Sequence, residues 1–290
     1  MIFLRIALSY PTGQQIDRIK SGIMEYSMKR REFLKQVAFT ASSALLANTF
    51  TGCSRPKTPN QTAEIYPDKR HPHIIFIMAD DMGYGDVRYL NPDSKIPTPN
   101  IDKLASEGLH FTDAHTPSAV CTPTRYGVLT GRYCWRSRLK KGVLNGYSKR
   151  LIEPGRMTVA SMLKDHGYHT GCVGKWHLGL TEHQPADFTK PLTPGPNEAG
   201  FDYWFGIPAS LDMPPYCFIE NGLTTEPVTA TVAGESTPRF YRPGAASPGF
   251  DVEDVMPKIT EKACWFIKNH FRTHAAKPCF LYFPLTAHPT

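Results

Sequence analysis

The chain has 290 residues, of which 41% are hydrophobic and 20% charged, a composition typical of globular proteins. Its formal net charge of +7 is concentrated at the front, since residues 1–52 carry seven Lys and Arg but only three Asp and Glu. Without that excess of four, the rest of the chain carries +3 and has no basic run, which argues against a nucleic-acid-binding protein.

The first recognisable pattern along the chain is that of an export signal. The basic segment "KRREFLK" at Lys29–Lys35 precedes an apolar run at Val37–Phe50, and this order resembles a twin-arginine signal. The run has 14 residues, whereas a membrane span needs roughly 20. The "FTGC" that ends at Cys53 resembles a lipobox and predicts a lipid anchor there. An ordinary amphipathic N-terminal helix is the weaker alternative.

These patterns divide the chain into four parts. Met28 is a better start for the signal than Met1, so residues 1–27 are interpreted as an upstream extension and 28–53 as the signal. Residues 54–72 are polar and rich in proline, which is typical of a flexible tether. The globular domain then occupies 73–290. We therefore expect export by the twin-arginine machinery to the periplasm or the cell surface.

The first elements of the domain are a strand and a helix. The segment "HIIFIMADD" at 73–81 is a short apolar run that ends in two aspartates, as expected of a strand buried on both faces. The segment "TPNIDKLASEGLHF" at 98–111 has apolar residues at helical spacing, and Gly108 ends the pattern.

The segment "VCTPTRYGVLTGR" at 120–132 predicts a helix that begins at Cys121, because Pro123 suits a first helical turn. Free N–H groups and the helix dipole favour an anion at such a terminus, and they lower the pKa of a thiol placed there. From these residues alone, Cys121 is a reactive thiolate, part of an anion site, or a buried cysteine without a role.

The remaining elements continue the alternation of strand and helix. A helix is predicted at 158–167 with Thr158 as its cap, followed by a strand at 168–177. Residues 181–250 lack periodicity and are interpreted as long loops that form a site. A longer helix at 253–271 and a buried strand at 279–289 complete the pattern.

This alternation predicts an α/β fold with a largely parallel sheet flanked by helices. Ligands of such sheets bind beyond the carboxyl ends of the strands. Polar residues lie at that end of three of the predicted strands, namely Asp80 and Asp81, Lys175 and His177, and His288. The seven cysteines include no CxxC pair, so neither a zinc site nor a disulfide framework is predicted.

The motif Cys-x-Pro-x-Arg at Cys121, Pro123 and Arg125, followed by "LTGR" to Arg132, resembles the signature of the formylglycine-dependent type I sulfatases. These are the arylsulfatase A-like members of the alkaline phosphatase superfamily. The resemblance implies an alkaline phosphatase-like sulfatase domain. It also implies that a formylglycine-generating enzyme oxidises Cys121 to an aldehyde, which hydrates to a geminal diol.

The resemblance extends to the other polar clusters. "ADDMGYGD" resembles the segment that supplies two metal-binding carboxylates, and "GKWHLG" the segment that supplies a lysine and a histidine. "FGIPASLDM" resembles a loop with a hydrogen-bonding serine, and "LTAHPT" a segment with a sulfate-binding histidine. The implied metal is Ca²⁺ or Mg²⁺, bound with the modified residue 121. The residues that match are Asp80, Asp81, Lys175, His177, Ser210 and His288.

The implied reaction removes sulfate from an aryl or carbohydrate sulfate. A diol hydroxyl, oriented by the cation and Arg125, attacks sulfur, while Lys175, His288 and the cation neutralise charge on the sulfuryl oxygens. His288 is also the implied partner of the leaving group, and Lys175 and His288 would bind substrate with Ser210. His177 then accepts the proton of the second hydroxyl, which expels sulfate and regenerates the aldehyde.

Three functions stay open on the sequence. The first is the sulfuric ester hydrolysis just described, and the second is hydrolysis of a phosphonate or a phosphodiester with the same modified cysteine. The third is a non-catalytic lipoprotein that binds sulfated sugar. The family's second pair of metal ligands and a further lysine follow the His-Pro segment, beyond the 290 residues. We therefore expect either the N-terminal part of a longer sulfatase or an inactive relative.

Overall fold

The computed structural model describes residues 71–237 and 240–286, together with the backbone of a strand at Ile2–Ala7. The predicted signal at 28–53 and nearly all of the predicted tether at 54–72 lie outside the described residues, as do Cys53 and His288. Within the described part of the chain, every helix is too short or too polar to cross a membrane.

In the described part of the chain, nine strands form two sheets. In chain order they are β1 (Ile2–Ala7), β2 (His73–Met78), β3 (His169–Lys175), β4 (Tyr203–Ile207), β5 (Ile219–Glu220), β6 (Leu223–Thr224), β7 (Ala230–Val232), β8 (Gly244–Ala246) and β9 (Cys279–Pro284). The main sheet has the order β1-β2-β9-β3-β4-β5-β6, and β7 pairs with β8. The central strands β2, β9, β3 and β4 are parallel to one another. Strand β1 at one edge and the hairpin of β5 and β6 at the other are antiparallel to their neighbours.

The described residues form four α-helices beside the sheets: α1 (Pro99–Glu107), α2 (Cys121–Thr130), α3 (Val159–Asp165) and α4 (Val255–Thr273). All four were predicted, and local signals explain their ends. Thr158 caps α3, because its hydroxyl accepts a hydrogen bond from the backbone N–H of Ser161 at 3.0 Å. Gly131 ends α2 in the left-handed conformation, with φ of 64°.

Helices cover both faces of the main sheet, and the core has one part on each face. Neighbouring residues of the central strand β3 point to opposite sides, so Cys172 packs with α2 and α3 while Val173 packs with α4. The buried residues of α4 follow helical spacing and are Val255, Ile259, Ala263, Phe266 and His270. The predicted α/β class with a largely parallel sheet is therefore confirmed.

The prediction of irregular structure over 181–250 is wrong where strands β4 to β8 lie, and the longest of these is β4. All five of its residues are buried, because β3 lies on one side of it and the hairpin of β5 and β6 on the other. Such a strand has no alternation of apolar and polar residues, and its run "YWFGI" is too short to stand out among the surrounding loops.

Histidines cluster at the amino-terminal end of the sheet, where β3 meets the end of α4. The Nδ1 atoms of His169 and His270 lie 3.0 Å apart, and His169 stacks on His274 with ring centroids 4.1 Å apart. Burial lowers the pKa of His169 to about 4, and the neighbouring charge of His274 acts in the same direction, while Asp202 opposes it. His169 is therefore neutral in the folded protein at pH 7.

We expect acid to destabilise the fold through His169. Its pKa lies near 6.5 when unfolded and about 4 when folded, so its contribution is fully present above pH 6.5 and is lost as the pH falls towards 4. This single group should account for about 1 to 2 kcal/mol of the difference in unfolding free energy between pH 7 and pH 5. Urea unfolding of H169Q at both values should show a smaller difference than the wild type. An unchanged difference would contradict the assignment, and H166Q, which alters an exposed histidine, is the control.

Candidate active site

The predicted site residues gather at the carboxyl edge of the parallel strands. Asp80 follows β2, Lys175 ends β3, and Ser210 lies three residues after β4. Cys121 begins α2. The connections place all four at one edge because parallel strands end on the same side of a sheet.

Asp80 is the centre of a buried network of charges. Its Oδ1 accepts a hydrogen bond from Arg125 Nη2 at 3.2 Å, and its Oδ2 accepts one from Lys175 Nζ at 2.7 Å. Lys175 Nζ also donates to Ser210 Oγ at 3.1 Å. The side chains of Arg125, Lys175 and Asp80 are 1%, 2% and 9% exposed. Screening by water is weak there, so two cations and one carboxylate leave a site that favours an anion.

A cavity of about 210 Å³ opens beside this network. Cys121 lies on its wall at the start of α2, whose N-cap residue, Val120, provides no side-chain hydrogen bond to the free N–H groups. The Nε atom of Arg125 is buried and has no hydrogen-bond partner among the described residues. The polar residues that line the cavity are Asp80, Asp81, Thr116, Ser118, Thr124 and Arg125.

Two of the predicted site residues have a left-handed backbone. Among the described residues, four that are not glycine have a left-handed φ, and two of these are Asp81 at 54° and His177 at 55°. The spacing of Lys175 and His177 would place both side chains on one face of an extended chain, but the backbone is not extended at His177. The chain turns sharply after β3, and the two side chains bind different partners.

His177 is fully buried and neutral. Its Nε2 donates to the carbonyl oxygen of Leu144 at 2.7 Å, and because a carbonyl only accepts, Nε2 carries the proton. The other ring nitrogen, Nδ1, is buried without a partner among the described residues. Burial and the charge of Lys175 lower the pKa of His177 to about 3. The ring thus holds an unprotonated nitrogen at neutral pH, as a general base requires.

A second ion pair supports the Ser210 loop. Asp212 contacts the guanidinium of Arg242 through Nη1, and Asp212 itself is largely buried. Burial raises the pKa of Asp212, but the hydrogen bond from Ser210 and the charge of Arg242 outweigh it, so the net shift is downward. Sequence reasoning missed Asp212 and Arg242, because the partners lie 30 positions apart in an aperiodic stretch.

The carboxylates fit part of the implied Ca²⁺ or Mg²⁺ site. Asp80 and Asp81 offer adjacent hard oxygen donors on the cavity wall, the ligand type that both cations prefer. However, the described residues contain no group of three or more His, Cys, Asp or Glu side chains able to hold a metal. Ca²⁺ takes six to eight oxygens, so these two carboxylates would not complete its coordination by themselves.

The fold and the site together are those of an alkaline phosphatase-like α/β domain, with a cysteine at a helix N-terminus beside buried cations. The model of the Sulfatase family matches residues 72–285, and the chain belongs to that family.

Similar proteins include sulfatases from bacteria and mammals. The chain is 36% identical over 266 residues to an N-acetylgalactosamine-6-O-sulfatase of Bacteroides thetaiotaomicron, covering 80% of this chain and 50% of that protein. It is 39% identical over 228 residues to arylsulfatase A of Bos taurus, covering 73% and 40%. The chain thus spans half or less of the length of these relatives.

Solved structures support the same fold. A sulfatase of Bacteroides thetaiotaomicron, from work on the metabolism of multiple glycosaminoglycans, superposes with a TM-score of 0.64 at 36% identity, covering 72% of this chain and 50% of that one. A Pseudoalteromonas sulfatase superposes with a TM-score of 0.53 at 23% identity, covering 74% and 44%, and shows the likeness of fold alone.

Proposed function

We propose that the protein hydrolyses sulfuric esters of carbohydrates or aryl compounds, with Cys121 oxidised to formylglycine as the source of the nucleophile. The buried network that joins Asp80, Arg125 and Lys175 beside Cys121 is the observation that carries this proposal. The names of the similar sulfatases, one acting on an N-acetylgalactosamine sulfate and one an arylsulfatase, support both substrate classes.

The side chains of the site have distinct tasks in this proposal. Lys175 binds the sulfuryl oxygens and stabilises the charge that develops on them, while Arg125 orients the attacking hydroxyl of residue 121. Little reorganisation is needed because both side chains are already held in place. Ser210 orients the Lys175 ammonium group. His177 accepts a proton at Nδ1, which is unprotonated at neutral pH. His288 is the proposed further sulfate ligand and leaving-group partner, outside the described residues.

The proposal also includes formylglycine at position 121 and a divalent cation beside it. Formylglycine, installed by a formylglycine-generating enzyme, would supply hydroxyl groups at position 121 once hydrated. Asp80 and Asp81 would hold Ca²⁺ or Mg²⁺ together with residue 121, and the cation would neutralise charge on the sulfuryl oxygens. Its remaining ligands would come from outside the described residues.

Export completes the proposal. The twin arginines before Val37–Phe50 support transport by the twin-arginine machinery, and the "FTGC" sequence supports a lipid anchor at Cys53. The protein would act in the periplasm or at the cell surface. Palmitate labelling of cells that express the wild type or C53A would test the anchor. We expect labelled palmitate on the wild-type protein and none on C53A.

The proposal is tested by the turnover of two chromogenic esters. The protein, expressed with its whole reading frame and a maturation enzyme, is assayed with nitrophenyl sulfate and with bis-nitrophenyl phosphate, and the aldehyde at position 121 is measured by peptide mass spectrometry. We expect turnover of the sulfate in proportion to aldehyde content. Preference for the phosphate would indicate the phosphodiesterase alternative. Binding of sulfated sugar without sulfate release would indicate the non-catalytic lipoprotein.

Lys175 should matter for turnover rather than for binding alone. We expect K175M to lower kcat on nitrophenyl sulfate by about 10²- to 10³-fold, because methionine fills similar volume but leaves the developing charge without a cation. Steady-state kinetics, corrected for aldehyde content, measure this. K268M removes an exposed lysine from α4 and should retain activity. A kcat for K175M within twofold of the wild-type value would show that Lys175 has no catalytic role.

A further inference from the structure

We propose that Thr122 is a positioning residue that holds the base His177 against the start of α2. The inference rests on the proposed function, since it assigns the group that sets the geometry of the proton-accepting step. Thr122 occupies a variable position of the Cys-x-Pro-x-Arg motif, and no feature of the sequence marks it.

Three buried residues form a closed ring of hydrogen bonds. The Thr122 hydroxyl donates to the carbonyl oxygen of His177 at 3.0 Å and accepts from the backbone N–H of Leu144 at 3.2 Å. His177 Nε2 donates to the carbonyl oxygen of Leu144 at 2.7 Å and closes the ring. Thr122 and His177 are 0% exposed and Leu144 is 6% exposed. Each member donates once and accepts once, so the ring satisfies all six polar groups.

The ring fixes which nitrogen of His177 is free to accept a proton. The Leu144 carbonyl keeps the hydrogen on Nε2 and leaves the lone pair on Nδ1. The Leu144 segment in turn is held by the Thr122 hydroxyl. Loss of that hydroxyl would leave the N–H of Leu144 and the carbonyl of His177 buried without this partner, which favours movement of both segments.

The backbone of His177 makes this support necessary. Its φ of 55° is unfavourable for a residue with a side chain and persists only where surrounding contacts impose it. The Thr122 hydroxyl is one of those contacts, and it acts on the carbonyl of His177 itself. Because Thr122 follows Cys121 directly, one residue ties the backbone that carries the nucleophile to the backbone that carries the base.

The test compares T122V with T122S, both expressed with the whole reading frame and corrected for aldehyde content at position 121. Valine keeps the volume but removes the hydroxyl, whereas serine keeps the hydroxyl. We expect T122V to lower kcat on nitrophenyl sulfate by about 10- to 100-fold with little change in KM, because a shift of about 1 Å in a catalytic group has effects of this size. T122S should recover most of the loss. T130V is the control, since the Thr130 hydroxyl bonds only within α2, to the carbonyl of Tyr126.

The pH profile separates positioning from a merely structural role. The charges that act on His177 are Lys175 and Arg125, which disfavour its protonation, and Asp80, which favours it. Loosening the ring admits water and raises the pKa of His177 towards 6.5, so the acid limb of kcat should move to higher pH in T122V. A T122V protein that loses thermal stability but keeps the kcat and acid limb of the wild type would overturn the proposal.

Nitrogen NMR of labelled histidine gives an answer independent of turnover. In the wild type, His177 should stay in the Nε2–H form down to about pH 4, and in T122V it should titrate at higher pH or exchange tautomers. Identical histidine spectra in the two proteins would refute the positioning role even if both hydrolyse sulfate. A wild type without turnover would refute the proposed function, while a spectral difference would still establish the ring.

Discussion

C121S is expected to lower the steady-state kcat on nitrophenyl sulfate by about 10⁴-fold or more, the scale seen when a nucleophile is lost. Serine places one hydroxyl where the hydrated aldehyde has two. Its oxygen can attack sulfur while the bond between sulfur and the ester oxygen breaks and the alcohol departs with a proton. No second hydroxyl then remains on residue 121 to expel sulfate, so the enzyme stays sulfated.

Mass spectrometry of the peptide that contains residue 121 checks this result. After incubation of C121S with excess ester, we expect one sulfuryl group retained per chain and at most one nitrophenol released. C264S changes an exposed cysteine on α4 and should keep kcat within about twofold, because surface substitutions rarely disturb a site. Sustained turnover by C121S would exclude the formylglycine mechanism and leave an ordinary hydroxyl or thiol nucleophile.

D80N is expected to lower the free energy of unfolding by about 3 kcal/mol or more. Asp80 is the carboxylate that lies between Arg125 and Lys175, and an amide presents one acceptor oxygen to two donors. Both cations are almost fully buried, and removing one partner of a buried ion pair typically costs about 3 to 5 kcal/mol because the other charges remain without compensation.

D81N provides a matched comparison at the neighbouring position. Asp81 is exposed, and asparagine accepts its left-handed φ readily, so this change should stay within about 0.5 kcal/mol. Urea unfolding should be measured with a chelator present, so that loss of a bound cation does not contribute to either value. Equal destabilisation by D80N and D81N would show that the Asp80 network is not the source of stability.

The parts of the fold that the sequence could predict are those with local causes. The start of α2 follows from Pro123 in its first turn. Gly108 ends α1, and the Thr158 cap begins α3. The gathering of Asp80 and Lys175 at one edge was also predictable, because it needs only the parallel arrangement of strands.

The parts that escaped prediction depend on contacts between distant positions. Thr122 and His177 lie 55 positions apart, and neither carries a local signal for their hydrogen bond. The left-handed backbone of His177 likewise reflects a turn imposed by packing, since a positive φ is uncommon in residues other than glycine. Strand β4 is recognisable only once β3 and β5 lie on either side of it.

The burial of Arg125 has a consequence for the proposed oxidation of Cys121. An enzyme that recognises Cys121 through the neighbouring motif has to reach Arg125, yet its guanidinium binds the carbonyl of Lys175 and the carboxylate of Asp80, 50 and 45 positions away. Those partners assemble only when β2 and β3 join the sheet. If Cys121 is oxidised as proposed, its oxidation and the folding of the chain are therefore competing reactions. A molecule that folds first keeps its thiol, so the ratio of the two rates sets the yield of modified protein.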